Sequence, residues 1–143
     1  MRLLDASTLL HAYDPDFRDH ERSRSWLERA FSESGRIGLA WIALLAFLRI
    51  GTNPRAFRRP FSIAEASDIV SEWLDRTNTT VLEPGERHWA ILSGLLAAAQ
   101  ARADLVTDAH IAALALEHGA VLCTDDRDFA RFPGLRLENP LEG

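Results

Sequence analysis

Short apolar runs alternate with longer stretches of helical periodicity along this chain, and that alternation limits its fold more than any other feature. Arg2–Leu4, Arg36–Ala40, Thr79–Leu82, Ala120–Cys123 and Leu135–Leu137 read as strands. His20–Ser32 carries Trp26, Leu27, Ala30 and Phe31 at helical spacing, with charges between them. Trp41–Ile50 is apolar almost all round, which predicts a buried helix. Ser62 is placed to cap a helix through about Asp75, with Ile63, Ala66, Ile69, Val70, Trp73 and Leu74 inward. Glu86–Ala101 is rich in Ala and Leu. Thr107–His118 ends at Gly119, a position suited to a left-handed turn.

Tyr13–Asp16, Gly51–Pro60 and Thr124–Phe129 carry the proline, glycine and aspartate signals of loops. Strands alternating with helices predict an α/β fold: a three-layer α/β/α domain with a central parallel sheet of about five strands. No linker, repeat or low-complexity stretch interrupts residues 1–143, so they read as one domain. No apolar run approaches the roughly 20 residues that span a bilayer. A carboxylate at Asp5 precedes any signal-peptide core, and the single cysteine, Cys123, allows no internal disulfide. The expectation is a cytoplasmic protein without a membrane partner.

All 16 basic residues are arginine. A codon bias explains that, but the chemical consequence stands: phosphate-loop NTPases, Schiff-base enzymes and phosphotransfer folds with a catalytic lysine are excluded. The formal net charge of −5 is unhelpful for holding a polyanion through a general basic face. Binding RNA then requires local arginine clusters and bound divalent cations.

In open parallel sheets, ligands gather at the carboxyl ends of the strands. Asp5 follows the first strand, Asp126 lies just past the fourth, and Asp108 starts the helix leading into it. Each has a purely structural alternative. Asp5 could cap a helix, Asp108 could favour a helix N-terminus, and Asp125, Asp126 and Asp128 could be solvated turn residues. Together they suit a hard divalent cation, because carboxylates side by side repel unless protonated or bridged by a metal. The reaction class this suggests is metal-assisted phosphodiester hydrolysis.

Leu3–Ser7, Phe47–Ile50 with Thr52–Arg55, Asp108–Ala115 and Thr124–Phe129 resemble the corresponding blocks of the PIN-domain family. The resemblance is closest to the VapC toxins of bacterial toxin–antitoxin pairs, and it runs nearly end to end. It implies a five-stranded parallel sheet, Mg²⁺ with Mn²⁺ able to substitute, and endoribonuclease activity blocked by a cognate VapB-type antitoxin. It also implies a homodimer. Asp5, Asp108 and Asp126 match the acidic metal positions, Asp128 a frequent additional acid, and Ser7 and Thr124 the hydroxyls that orient the site. Many relatives carry a glutamate three residues before Arg49, where this chain has Ala46. Its absence leaves one metal ion, a pair, or reduced activity all open, and it motivates a rival reading as a PIN-like binding module without catalysis.

Arg49, Arg55, Arg58 and Arg59 cluster in sequence and could grip RNA phosphates, or form a solvated basic loop. His11, His20, His88 and His118 show no ligand spacing, and His110 reads as a surface or interface residue. Trp26, Trp41, Trp73 and Trp89 fall on apolar helical faces that suit core or interface packing, with Trp41 also a candidate to border the site.

Overall fold

The computed structural model describes residues 1–33 and 35–142. Five strands, β1 (Arg2–Leu4), β2 (Ile37–Leu39), β3 (Thr79–Val81), β4 (Val121–Cys123) and β5 (Leu137–Glu138), form one parallel sheet in the order β3-β2-β1-β4-β5. Parallel neighbours need crossovers, and helices supply them. They are α1 (Ala6–His11), α2 (His20–Ser32), α3 (Trp41–Gly51), α4 (Ile63–Asp75), α5 (His88–Ala98) and α6 (Asp104–His118). A 3₁₀ turn, Arg127–Arg131, follows β4. The α/β/α architecture expected from the sequence is the one found.

Alternation along each strand feeds two cores. Leu4, Ile37, Leu39 and Cys123 face α1 to α4, whereas Leu3 and Leu122 face α5, α6 and the 3₁₀ turn. The first core centres on Trp73, whose ring meets Phe47 edge-on at 4.7 Å and Tyr13 at 5.7 Å. Cys123 is fully buried, and burial, aided by the nearby Glu138 charge, pushes its thiol up to about 12.

Several boundaries differ from the sequence reading. α4 starts with a complete capping box, Ser62 accepting from the Glu65 amide at 3.1 Å and Glu65 accepting from the Ser62 amide at 2.9 Å. That geometry places Ile63 in the first turn, outside the core, where it is 63% exposed rather than inward. α3 is not buried all round: Trp41 and Leu45, 49% and 58% exposed, and Arg49 form a stripe at four-residue spacing facing water. The helix packs through Ala43, Leu44 and Phe47 against α1 and α4, and nothing covers its other side among the described residues.

α5 is shorter than Glu86–Ala101 and only Leu95 is fully buried in it, leaving Trp89 69% exposed. α6 begins at Asp104, three residues before the expected Thr107. Its capping residue Ala103 has no capping side chain, so the usual start signal was missing. β5 is displaced to Leu137–Glu138 because a turn with Gly134 at φ +80° precedes it.

Trp73→Ala should destabilise the protein by about 3–5 kcal/mol, as large aromatic deletions in packed cores do. Leu45→Ala, on the wet side of α3, should change stability by less than about 0.5 kcal/mol. Urea unfolding of both variants checks the contrast. A small cost at Trp73 would contradict the core described here.

Candidate functional site

The sheet order reverses between β1 and β4, which opens a crevice at the carboxyl ends of those two strands. Asp5 lies in it, directly after β1, with its amide donating to the Cys123 carbonyl at 3.1 Å. Thr8 Oγ1 donates to the same carbonyl at 2.8 Å, so the start of α1 is fixed to the end of β4. Asp5 is 7% exposed and its side chain makes no capping hydrogen bond. Its Oδ2 instead accepts from Thr124 Oγ1 at 2.8 Å and Ser7 Oγ at 3.1 Å.

Thr124 Oγ1 in turn accepts the Asp126 amide at 3.0 Å, and Asp126 Oδ1 accepts the Asp128 amide at 2.9 Å. One hydrogen-bonded relay therefore joins Asp128, Asp126, Thr124 and Asp5. It shows why Ser7 and Thr124 accompany the acids: their hydroxyls fix one carboxylate oxygen of Asp5. Asp126 does cap the 3₁₀ turn as a structural residue, using Oδ1 only.

Asp108 is half-buried and stands in the second turn of α6, not at its start, because the helix begins at Asp104. Asp104 takes the favourable first-turn position that the sequence reading offered Asp108. Burial, then the charges of Asp126, Asp5, Asp128 and Asp104, push the Asp108 carboxyl up to about 6. Burial also raises Asp5, with the hydrogen bonds from Thr124 and Ser7 opposing it and the Asp126 charge adding to it. Asp5, Asp108, Asp126 and Asp128 thus share one electrostatic field.

Two groups at the site were not expected from sequence. Asp125 contacts His11 Nδ1 at 2.7 Å. Burial alone would raise the Asp125 carboxyl, but the His11 contact outweighs it and lowers the value. The His11 ring lies flat on Phe17, 3.7 Å between centroids. No sequence spacing announces a pair so far apart in the chain.

The arginines of the middle segment are spread out. Arg58 and Arg59 line a small cavity of about 180 Å³ with Asp14 and Asp16. Arg55 is exposed in the loop, its amide held by Asn53 Oδ1 at 2.9 Å, and Arg49 is exposed on α3. Among the described residues, none of these four guanidinium groups forms an ion pair with the aspartates of the crevice. His110, expected at a surface or interface, meets His88 Nε2 through its Nδ1 at 3.0 Å, between α5 and α6.

No group of three or more Asp, Glu, His or Cys side chains among the described residues is arranged to hold a metal ion by itself. The donor set is nonetheless all hard oxygen, and burial together with repulsion from the other acids keeps Asp108 well above the ordinary carboxylate range. Mg²⁺ keeps several of its own waters and takes one or two direct carboxylates, so the residues present fit such an ion.

Residues 2–135 match the model of the PIN domain. This chain belongs to the PIN-domain family. It is 40% identical to ribonuclease VapC37 of Mycobacterium tuberculosis over 140 residues, which covers 98% of this chain and 97% of that relative. Ribonuclease VapC33 of the same organism is 38% identical, over 99% of both chains. VapBC2 from Rickettsia felis, solved bound to a promoter DNA fragment, superposes with a TM-score of 0.68 at 18% identity, covering 96% and 97% of the two chains. FitAcB from Neisseria gonorrhoeae gives 0.66 at 21% identity over the full length of both. These structural likenesses establish the fold. PIN-domain ribonucleases in general depend on a divalent metal.

The raised Asp108 carboxyl has a signed consequence. Its folded pKa lies above its unfolded one, so the metal-free protein loses stability as pH rises through about 6. Asp108→Asn should raise the metal-free melting temperature at pH 7.5 by about 4 °C, roughly 1–2 kcal/mol after allowing for solvent screening, with little effect at pH 4. Thermal melts at the two pH values check this. Equal effects at both would remove the electrostatic account of the crevice.

Proposed function

We propose that this PIN-domain chain is a Mg²⁺-dependent endoribonuclease, the toxin of a toxin–antitoxin pair, neutralised by a VapB-type antitoxin. The observation that carries the reading is the set of mutually repelling aspartates at the β1–β4 crevice, one of them pushed up to about 6. Relatives named as ribonucleases, matched over nearly their whole length, support the substrate class. Residues 1–143 act as one ribonuclease domain. No helix among the described residues is long and apolar enough to cross a membrane, and we place the protein in the cytoplasm.

Asp5, Asp108 and Asp126 hold the ion, Mn²⁺ being able to replace Mg²⁺, and Asp128 contributes a further oxygen donor. Asp5 offers Oδ1, since Oδ2 is engaged by Thr124 and Ser7. Bound there, the cation supplies positive charge against the scissile phosphate and acidifies a water. Ser7 and Thr124 orient Asp5, while Arg49, Arg55, Arg58 and Arg59 contribute to holding RNA phosphates away from the crevice. Ala46 supplies no oxygen, which leaves Asp5, Asp108, Asp126 and Asp128 as the acids of the site.

The homodimer draws on surface that the fold leaves open: Trp41 and Leu45 on α3 and Trp89 on α5. Leu45→Glu together with Trp89→Glu should convert the dimer to monomer in sedimentation velocity. A wild-type protein that is already monomeric at all concentrations would remove this part of the proposal.

RNA cleavage by the full chain should require Mg²⁺ or Mn²⁺, stop with EDTA and disappear in Asp5→Asn. Thr124→Val, which disturbs the ligand's support only, should cost about 10–100-fold. Persistent cleavage by Asp5→Asn would refute the site. If millimolar Mg²⁺ and Mn²⁺ leave calorimetry and melting temperature unchanged, a non-catalytic RNA- or protein-binding module becomes the better reading.

A further inference from the structure

A groove of about 560 Å³ opens beside the crevice. Its lining includes the acids Asp104, Asp108 and Asp128, together with Arg102 from the α5–α6 connection and Arg131 from the end of the 3₁₀ turn. We infer that this groove is a phosphate subsite for the RNA strand, in which Arg102 and Arg131 hold a phosphate flanking the one at the aspartates. The inference rests on the ribonuclease reading for the identity of the strand.

Two arginines from separate elements converge on a cavity that already contains two of the expected metal-site acids. Despite that proximity, neither guanidinium forms an ion pair with a carboxylate among the described residues. A planar guanidinium with free donors suits a phosphate better than any other common anion in an RNA-cutting protein.

The backbone on either side of Arg102 is unusual. Gln100 ends α5 in the left-handed region at φ +50°, with the Ala101 amide donating to the Leu96 carbonyl at 2.9 Å. Ala103 then starts α6 at φ +54° and ψ −130°. These are the only non-glycine positive φ values among the described residues, and they flank Arg102 closely. L side chains rarely adopt either conformation, and such strain concentrates where a side chain must be presented in one place. Two tight turns in four residues bring Arg102 to the groove rather than into either helix.

The contact differs from those of Arg55, Arg58 and Arg59. Those residues sit on the loop after α3, and Arg58 and Arg59 share their cavity with Asp14 and Asp16. Arg102 and Arg131 share theirs with Asp104, Asp108 and Asp128. A strand whose scissile phosphate lies at the aspartates passes the second pair first.

The test uses the full chain carrying Asp126→Asn, to prevent cleavage, and a short fluorescein-labelled single-stranded RNA of mixed sequence. Anisotropy titrations over a range of salt give the slope of log affinity against log salt. Arg102→Ala with Arg131→Ala should weaken binding about tenfold and reduce the slope by about 1.4, or ~0.7 for each lost phosphate contact. Arg102→Lys with Arg131→Lys should keep most of the slope, because the charges remain. If the double alanine variant does not fold, Arg102→Gln and Arg131→Gln alone should each reduce it by about half as much.

An unchanged slope in folded variants overturns the subsite, even when wild-type protein cleaves RNA. A slope change without any wild-type cleavage keeps the subsite and refutes the ribonuclease reading. Variants that keep RNA affinity and lose only the co-expressed antitoxin assign the groove to a protein partner, which also overturns the proposal.

Discussion

The hydroxyl of Thr124 is the point on which the crevice depends. It donates to Asp5 Oδ2 and accepts the Asp126 amide, so it joins the acids that follow two different strands. That junction exists only because β1 and β4 are neighbours in register, with Leu4 opposite Cys123. The register in turn needs Leu3 with Leu122 on one face and Leu4 with Cys123 on the other. Slipping it by one residue would exchange the two cores. Packing of apolar side chains thereby sets the spacing of carboxylates that never touch the core.

Electrostatics then opposes what packing imposes. Asp5 is buried, Asp108 half-buried, and both feel Asp126 as a like charge. Hydrogen bonds from Thr124 and Ser7 relieve Asp5. Among the described residues no side-chain hydrogen bond relieves Asp108, and its carboxyl takes the burden. A site built in this way is poised to accept positive charge, because a cation removes a cost that the fold already carries. The departure at Ala46 reduces the number of oxygens without changing that argument.

Much of this was legible in the sequence, for a definite reason. Periodicities of two and of about 3.6 residues report local geometry directly, and here they gave the strands, the helices and the α/β class. The placement of Asp5 and Asp126 followed from strands ending where polar residues begin. What escaped was set by contacts between distant parts. The wet faces of α3 and α5 carry Trp41, Leu45 and Trp89, which a sequence pattern cannot distinguish from buried neighbours. The His11–Asp125 pair, the early start of α6 and the approach of Arg102 to Arg131 depend on tertiary placement or unusual backbone. Arg58 and Arg59 cluster with Arg49 and Arg55 in sequence, and only the folded chain shows that they line a cavity with Asp14 and Asp16.

The burial of Cys123 carries a consequence for chemistry under stress. Its thiol sits in β4, next to Thr124, fully enclosed and pushed up to about 12. At neutral pH it holds essentially no thiolate, the form that peroxide and disulfides attack. The residue adjoining the acidic crevice is therefore inert to oxidants while the fold is intact. An oxidising burst that modifies exposed thiols elsewhere leaves this enclosed thiol untouched.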